Sequence, residues 1–350
     1  MTEHETDNLP TSPSINTTKR GTVYNKVFNK DEWELVNPDN KIMMEDFLEE
    51  YRQRKIKEST LKQYNNDLRI VMIYILRKLG NMSIIELTKK DFRRFSLYMS
   101  GEMGLSNARA NRLMSAVRSL LTYIEDDDDY EYENNVAKKV KGLPKEAVRV
   151  NEDDFFLSFE QVMKLREALI ERGELQDAVL LMISFDSGAR RNEVYQVQKH
   201  GLLDGNKTNE VVGKRGKRFR LTYMNDTREL ISRYLDERGE DEIDSLWISG
   251  KGDKKKPVNS DALYNRIVSM SQLLSQLEGQ EINFFPHSLR HSRIECMLQG
   301  HDTRILDENG KPKKFTLEQV QVFVNHSDPK TTQSYAKDHS DEMIDEMFGF

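Results

Sequence analysis

The sequence predicts a mainly α protein with a small β-sheet, an α+β fold carried in two domains. Apolar residues recur at helical spacing through most of the chain, and strand-prone residues concentrate in one basic stretch over 211–223. A block of acidic and turn-forming residues over 126–151 interrupts both patterns. The chain has 350 residues, enough for two cores, since single domains usually run about 100–200 residues.

Residues 1–20 are polar, with Pro10 and Pro13 among Ser, Thr and Asn, and hold too little apolar surface to offset the entropy of ordering. Residues 21–40 add Tyr24, Phe28 and Trp33. The stretch 1–40 therefore reads as a flexible extension that ends either in a docking or DNA-contacting arm or at the edge of the first domain. From 41 to 125 the helical period takes over. A first helix spans 42–53. In the second, Leu61, Tyr64, Leu68, Val71, Met72, Ile75 and Leu79 share a face, preceded by Thr60 and Gln63 at capping-box spacing. The third starts near Thr88 and turns Phe92, Phe95 and Met99 inward; the fourth runs from about Ser106 through Leu113, Val117, Leu121 and Ile124.

The acidic run 125–133, the Asn pair and the Lys138–Pro144 stretch read as a linker over 126–151, with a second domain over 152–350. Ser158 with Gln161 opens a helix containing Val162, Leu165 and Leu169. The helix over 175–186 is almost wholly apolar and belongs in the core. Residues 211–223 form short β-prone arms around the basic turn Gly213-Lys214-Arg215-Gly216-Lys217, a hairpin. Helices follow over 226–238, 260–276, 287–299 and 316–325, with Leu246-Trp247-Ile248 a short strand or buried connector. In the tail, Met343, Ile344, Met347 and Phe348 stand at helical spacing, a helix for this domain or for a neighbouring copy.

Composition narrows the class. The longest apolar run, Ile70 to Leu76, is too short to cross a bilayer, and the first residues lack the positive start and apolar stretch of a secretory signal. A cytoplasmic protein without membrane association is expected. A single cysteine, Cys296, rules out an internal disulfide and a cysteine-built zinc site, and its apolar neighbours assign it to packing. The net charge of −6 counts against simple nucleic-acid binding, because phosphate contacts need Lys and Arg. Seven of the acids, however, fall within 125–133, so whole-chain charge says little about a working face. Most basic residues of the helical domain fit a solvated surface; Lys62, Asn107, Arg109 and Arg112 can also contact backbone phosphates.

Three features suggest chemistry. Pro286-His287-Ser288-Leu289-Arg290-His291 puts His287 and Arg290 on one helix face. The basic hairpin turn can carry a lysine into a cleft. His326 is followed nine residues later by Tyr335. Each alone is more often structural. With Arg190 they make a set suited to phosphoryl transfer through a phenol. Arginine forks bind phosphate oxygens and neutralise a pentacovalent transition state. A phenol of ordinary pKa about 10 needs a base and nearby positive charge to attack at neutral pH. A histidine can be that base, and a lysine can protonate the departing oxygen.

On these residues the sequence closely resembles the tyrosine recombinases of the phage-integrase type. Ser187-Gly188-Ala189-Arg190-Arg191-Asn192-Glu193 is similar to their first arginine box, Gly213–Lys217 to their hairpin lysine, Pro286–Ser292 to their His-x-x-Arg box, and His326 with Tyr335 to their last box. Residues 41–125 resemble the core-binding domain, with Asn111–Arg118 like its last helix. The resemblance implies a helical DNA-binding domain and a mixed α/β catalytic domain forming a C-shaped DNA clamp. It implies that Arg190 and Arg290 hold the scissile phosphate, Lys214 is the general acid, His287 the base, His326 a hydrogen-bond donor, and Tyr335 the nucleophile of a 3′-phosphotyrosyl link. Arg215 and Lys217 join the candidate DNA contacts, and Lys217 is the alternative to Lys214. No cofactor or metal is implied. The partners are double-stranded DNA with a specific site and further copies in a homo-tetramer on DNA, possible through the C-terminal tail, in the nucleoid.

Three residues depart from the pattern: Ala189 and Arg191 replace apolar neighbours of the first arginine, and Asn325 stands where glycine usually precedes the last histidine. Two other functions therefore stay open beside a site-specific recombinase. A sequence-specific, repressor-like regulator would bind DNA without covalent capture, and a type IB topoisomerase-like enzyme would relax plasmids without strand exchange.

Overall fold

A computed structural model describes residue 24, residues 27–144 and residues 156–325, except the side chain of Arg215. The chain divides into two compact units, Met1–Ala147 and Val148–Phe350.

In the first unit, helices α1 (Lys30–Leu35), α2 (Pro38–Gln53), α3 (Glu58–Lys78), α4 (Lys89–Ser100) and α5 (Asn107–Asp126) surround one core. The apolar period places Met43, Phe47, Leu68, Val71, Met72, Phe92, Phe95, Leu113 and Val117 inside. Thr88 and Ser106 are N-caps, as their residue types require: each side chain accepts a hydrogen bond from the third residue beyond it. The Thr60 cap does not form. Helix α3 begins two residues earlier, and Thr60 lies inside its first turn, with its amide bonded to the Lys57 carbonyl.

Two segments outside the expected domain 41–125 belong to this core. Val27 and Val36 are buried in it, and the Arg69 guanidinium lies 5.3 Å from the Phe28 ring and 4.9 Å from the Trp33 ring. The described part of 21–40 thus packs on this core. Most of 127–144 also docks, burying Ala137 and Val140. Arg118 donates to the carbonyls of Ala137 (3.1 Å) and Val140 (2.9 Å), and Asn111 binds the Leu143 backbone in both directions. Polar side chains seize that backbone, so apolar periodicity gave no sign of it.

The second unit contains α6 (Phe159–Glu171), α7 (Leu175–Ser187), α8 (Arg191–Tyr195), β1 (Lys207–Val212), β2 (Arg218–Thr222), α9 (Asn225–Arg238), β3 (Ile248–Ser249), β4 (Lys256–Pro257), α10 (Ser260–Glu278), α11 (Pro286–Gln299) and α12 (Leu317–Phe323). Helix α7 is its axis. Every residue from 178 to 187 is buried, and α6, α9, α10, α11 and β2 pack around it. Ser158 and Thr316 cap α6 and α12 through capping boxes with Gln161 and Gln319.

The fold is α+β, as the sequence pattern indicates, with the strands among the described residues in two separate antiparallel pairs, β1–β2 and β3–β4. Trp247, wholly buried, donates its indole N–H to the Val194 carbonyl at 2.7 Å and anchors the chain entering β3. Cys296 is buried, and desolvation pushes its thiol up to about 12, as suits a packing residue. No helix among the described residues is long and apolar enough to cross a membrane.

Candidate active site

Helix α7 ends at Gly188, whose φ of 56° is left-handed. A Cβ there would also stand 3.2 Å from Val324 Cγ1. The chain turns at once into Arg190, the N-cap of α8. Glu193 accepts from the Arg190 amide at 2.7 Å and from its guanidinium Nη1 at 3.1 Å. Glu193 is buried, whereas the Arg190 side chain is one-third exposed (33%), so one edge of the fork is pinned and the rest is open to a ligand.

The same carboxylate sits against the root of the hairpin. A Cβ on Gly213 would lie 3.1 Å from Glu193 Oε1 and 2.7 Å from Phe219 Cε1, so only glycine allows this approach. Gln196 reinforces it, donating to the Val212 carbonyl (3.0 Å) and accepting from the Val212 amide (2.9 Å). Helix α8 therefore fixes the hairpin beside Arg190. Lys214 opens the turn, and Lys214 and Lys217 are both exposed, without an ion pair among the described residues.

Helix α11 starts with Pro286 at its first position, where the missing N–H costs nothing. His287 follows, exposed, its ring centroid 4.8 Å from that of His291 one turn on. Arg290 is 1% exposed. Its guanidinium donates to the carbonyls of Gly188 and, at 2.7 Å, Val324. One buried cation thus joins the arginine turn, the His-x-x-Arg helix and the end of α12. A small cavity is lined by Ala189, Glu193, Arg220, Arg290, Val324 and Asn325, bringing these segments together.

Asn325 follows the end of α12 with φ of 55°. The usual glycine is explained by that left-handed position, and asparagine is among the side chains that tolerate it best. Arg191 also has a place: its guanidinium lies 5.5 Å from the Tyr264 ring and 3.4 Å from Asp261, both on α10, and so does not compete for Glu193. His326 and Tyr335 lie outside the described residues, as does the side chain of Arg215.

In the helical unit, Lys62 is exposed on α3. Asn107 donates to the Pro144 carbonyl at 3.1 Å. Arg109 is engaged by the buried Asp67 at 2.5 Å, which Arg112 also approaches, at 3.4 Å, with half its side chain exposed. Sequence reading missed Asp67, although an acid beside Leu68 on an apolar face signals a buried pair. It also missed Gln196, for which the sequence carries no sign.

Residues 156–342 match the phage integrase family. The chain is 27% identical over 321 residues to the SPbeta prophage-derived recombinase-like protein YomM of Bacillus subtilis (strain 168), covering 86% of this chain and 87% of that one. It is 25% identical over 294 residues to tyrosine recombinase XerC of Pseudomonas fluorescens (strain Pf0-1), covering 81% and 86%. Among solved structures, the XerH site-specific recombinase bound to a palindromic difH substrate in a post-cleavage complex superposes with a TM-score of 0.60 at 19% identity, covering 85% and 81%. The chain belongs to the phage integrase family, the tyrosine-type site-specific recombinases.

Proposed function

We propose that the protein cuts and rejoins duplex DNA at a specific site, with Tyr335 forming a 3′-phosphotyrosyl intermediate. The observation that carries this reading is the placement of Arg290, a buried cation held by two carbonyls between the segments that resemble the family's motifs. Burial of a charge is costly unless it is paired and put to use. Arg290 borders the cavity lined by Ala189, Glu193 and Asn325, where a guanidinium can bind a phosphate oxygen.

In the first step the Tyr335 oxygen bonds to phosphorus as the bond to the 5′ oxygen breaks. His287 takes the phenolic proton, and Lys214 protonates the departing oxygen. Arg190 and Arg290 neutralise the equatorial oxygens in the transition state, and His326 donates to one of them. Attack by the 5′ hydroxyl of a second strand reverses these transfers and frees Tyr335. The phosphodiester energy is kept in the phosphotyrosine, so the reaction as written consumes no nucleotide cofactor.

Lys62, Arg112, Arg215 and Lys217 contact the DNA backbone, with Asn107 and Arg109 close to it. Strand exchange needs two duplexes and therefore a homo-tetramer on DNA, coupled through the C-terminal tail. The protein works in the cytoplasm, at the nucleoid. The test uses a suicide duplex nicked beside the cleavage position: wild type should accumulate a covalent complex that Tyr335→Phe does not form. Tight, specific binding without any covalent complex would refute the reading.

A further inference from the structure

Behind the candidate site lies a chain of buried and half-buried charges. Arg293, one turn beyond Arg290 on α11, is completely buried. Its guanidinium lies 5.4 Å from the Phe185 ring on α7 and 5.8 Å from the Phe323 ring on α12, and donates to Asp302 at 2.5 Å. Asp302 also accepts from Arg304 Nε at 2.9 Å. Arg304 continues to Asp186 (2.7 Å) in the last turn of α7 and to Asp226 (3.1 Å) in the first turn of α9. Asp186 in turn accepts from the Thr227 hydroxyl (2.6 Å) and the Met224 amide (3.0 Å). Aliphatic residues would fill such a space more cheaply, because the desolvation of buried ion pairs can exceed their attraction. The network therefore calls for a role beyond stability.

We infer that Arg293, with Asp302 and Arg304, is a positioning device that sets the two carbonyls on which Arg290 rests. The geometry is direct. A Cβ on Gly188 would touch Arg293 Cγ at 3.5 Å, so the Arg293 stem lies under the turn that offers the Gly188 carbonyl. Phe323, against the same guanidinium, immediately precedes Val324, which offers the other carbonyl. Asp302 and Arg304 form the root of the loop between α11 and α12, closed by the Leu306–Pro312 bridge and the Lys313 amide on the Ile305 carbonyl. Clipping that root to Asp186 fixes where α12 begins. Arg290 is thereby aimed from both ends by one set of charges that never touches DNA.

This inference rests on the reading of Arg290 as a phosphate ligand. The test compares wild type, Arg293→Lys and the charge-free double variant Arg293→Met/Asp302→Leu in single-turnover cleavage of a suicide duplex, with DNA affinity measured alongside. Parallel runs use a duplex whose scissile phosphate is a neutral methylphosphonate, on which Arg290 has no full charge to neutralise. The double variant should bind DNA within about threefold of wild type yet cleave the phosphate about tenfold or more slowly, since small misplacements of a reacting group cost rates of this order. On the methylphosphonate the gap should close to within about threefold. Arg293→Lys keeps the pair with Asp302 and should cleave the phosphate about threefold below wild type and the methylphosphonate equally; this variant carries the test if the double variant does not fold. A gap of equal size on both substrates, or none on either, overturns the positioning role alone. Failure of wild type to cleave DNA that it binds overturns the function and the positioning role together.

Discussion

Substitution of Asn325 tests how the last helix presents the segment beyond it. Its φ of 55° lies in the left-handed region, and its amide closes the end of α12 on the Val322 carbonyl at 3.2 Å. The neighbouring Val324 carbonyl is one of the two that hold Arg290. An ordinary side chain in this conformation costs about 1–2 kcal/mol, asparagine less, and glycine almost nothing. Asn325→Ala should therefore weaken the closed turn by about 1 kcal/mol, which lowers its population relative to open forms about fivefold. Single-turnover covalent capture should slow by about that factor if the turn is only marginally stable, while DNA affinity changes little. Asn325→Gly, free of the penalty, should react at or above the wild-type rate. A wild-type rate for the alanine variant together with a slow glycine variant would refute the conformational argument, showing that the carboxamide acts by itself.

Further outcomes follow from other parts of the structure. If Lys214 is the general acid, Lys214→Ala should lose about 100-fold or more in cleavage of a normal duplex and recover on one with a 5′-bridging sulfur, a leaving group that needs no proton; recovery of Lys217→Ala instead would move the role to Lys217. Asp241 accepts from Arg238 at 2.6 and 2.7 Å, which holds its carboxyl far below the usual carboxylate range. Its folded pKa is depressed, so its contribution is complete above the unfolded value of about 3.9 and is lost as pH falls below it. Asp241→Asn should cost about 3 kcal/mol in denaturant unfolding at neutral pH, because it leaves the buried Arg238 uncompensated, and the difference should shrink below pH about 4. A pH-independent difference would contradict the ion pair. Cys296, with its thiol pushed up to about 12, should resist alkylation at pH about 8 in the native protein and react once denatured; rapid native labelling would show that α11 is loosely packed.

What the sequence discloses and what it hides follow a physical division. Helices α3, α5 and α7 are legible because Leu68, Val71, Leu113, Val117 and the run from Val179 to Phe185 bury apolar surface at a regular period. The caps at Ser106 and Ser158 are legible because a hydroxyl before an apolar run has one favoured use. The Thr60 pattern misleads, since the same spacing fits inside a helix already begun. The docking of 127–144 is hidden because Asn111 and Arg118 bind backbone, a contact no side-chain pattern encodes. Two-residue strands such as β3 and β4 are too short to alternate. At the site, Arg190, Arg290 and the bracing Glu193 are legible as motif residues; the two backbone carbonyls to which Arg290 donates are not. Arg293, Asp302 and Arg304 carry no apolar signal in the sequence; Arg293 and Asp302 are buried and Arg304 half-buried through ion pairs with one another.

The central assignment is the nucleophile, and the most direct measurement is mass spectrometry of the trapped protein–DNA complex after nuclease and trypsin digestion. Cleavage at Lys330 and Lys337 releases the peptide 331–337, which contains Thr331, Thr332 and Ser334 as internal controls beside Tyr335. The expected result is a 3′-phosphonucleotide on the Tyr335 oxygen. An adduct on any other residue, with Tyr335 unmodified, would contradict it.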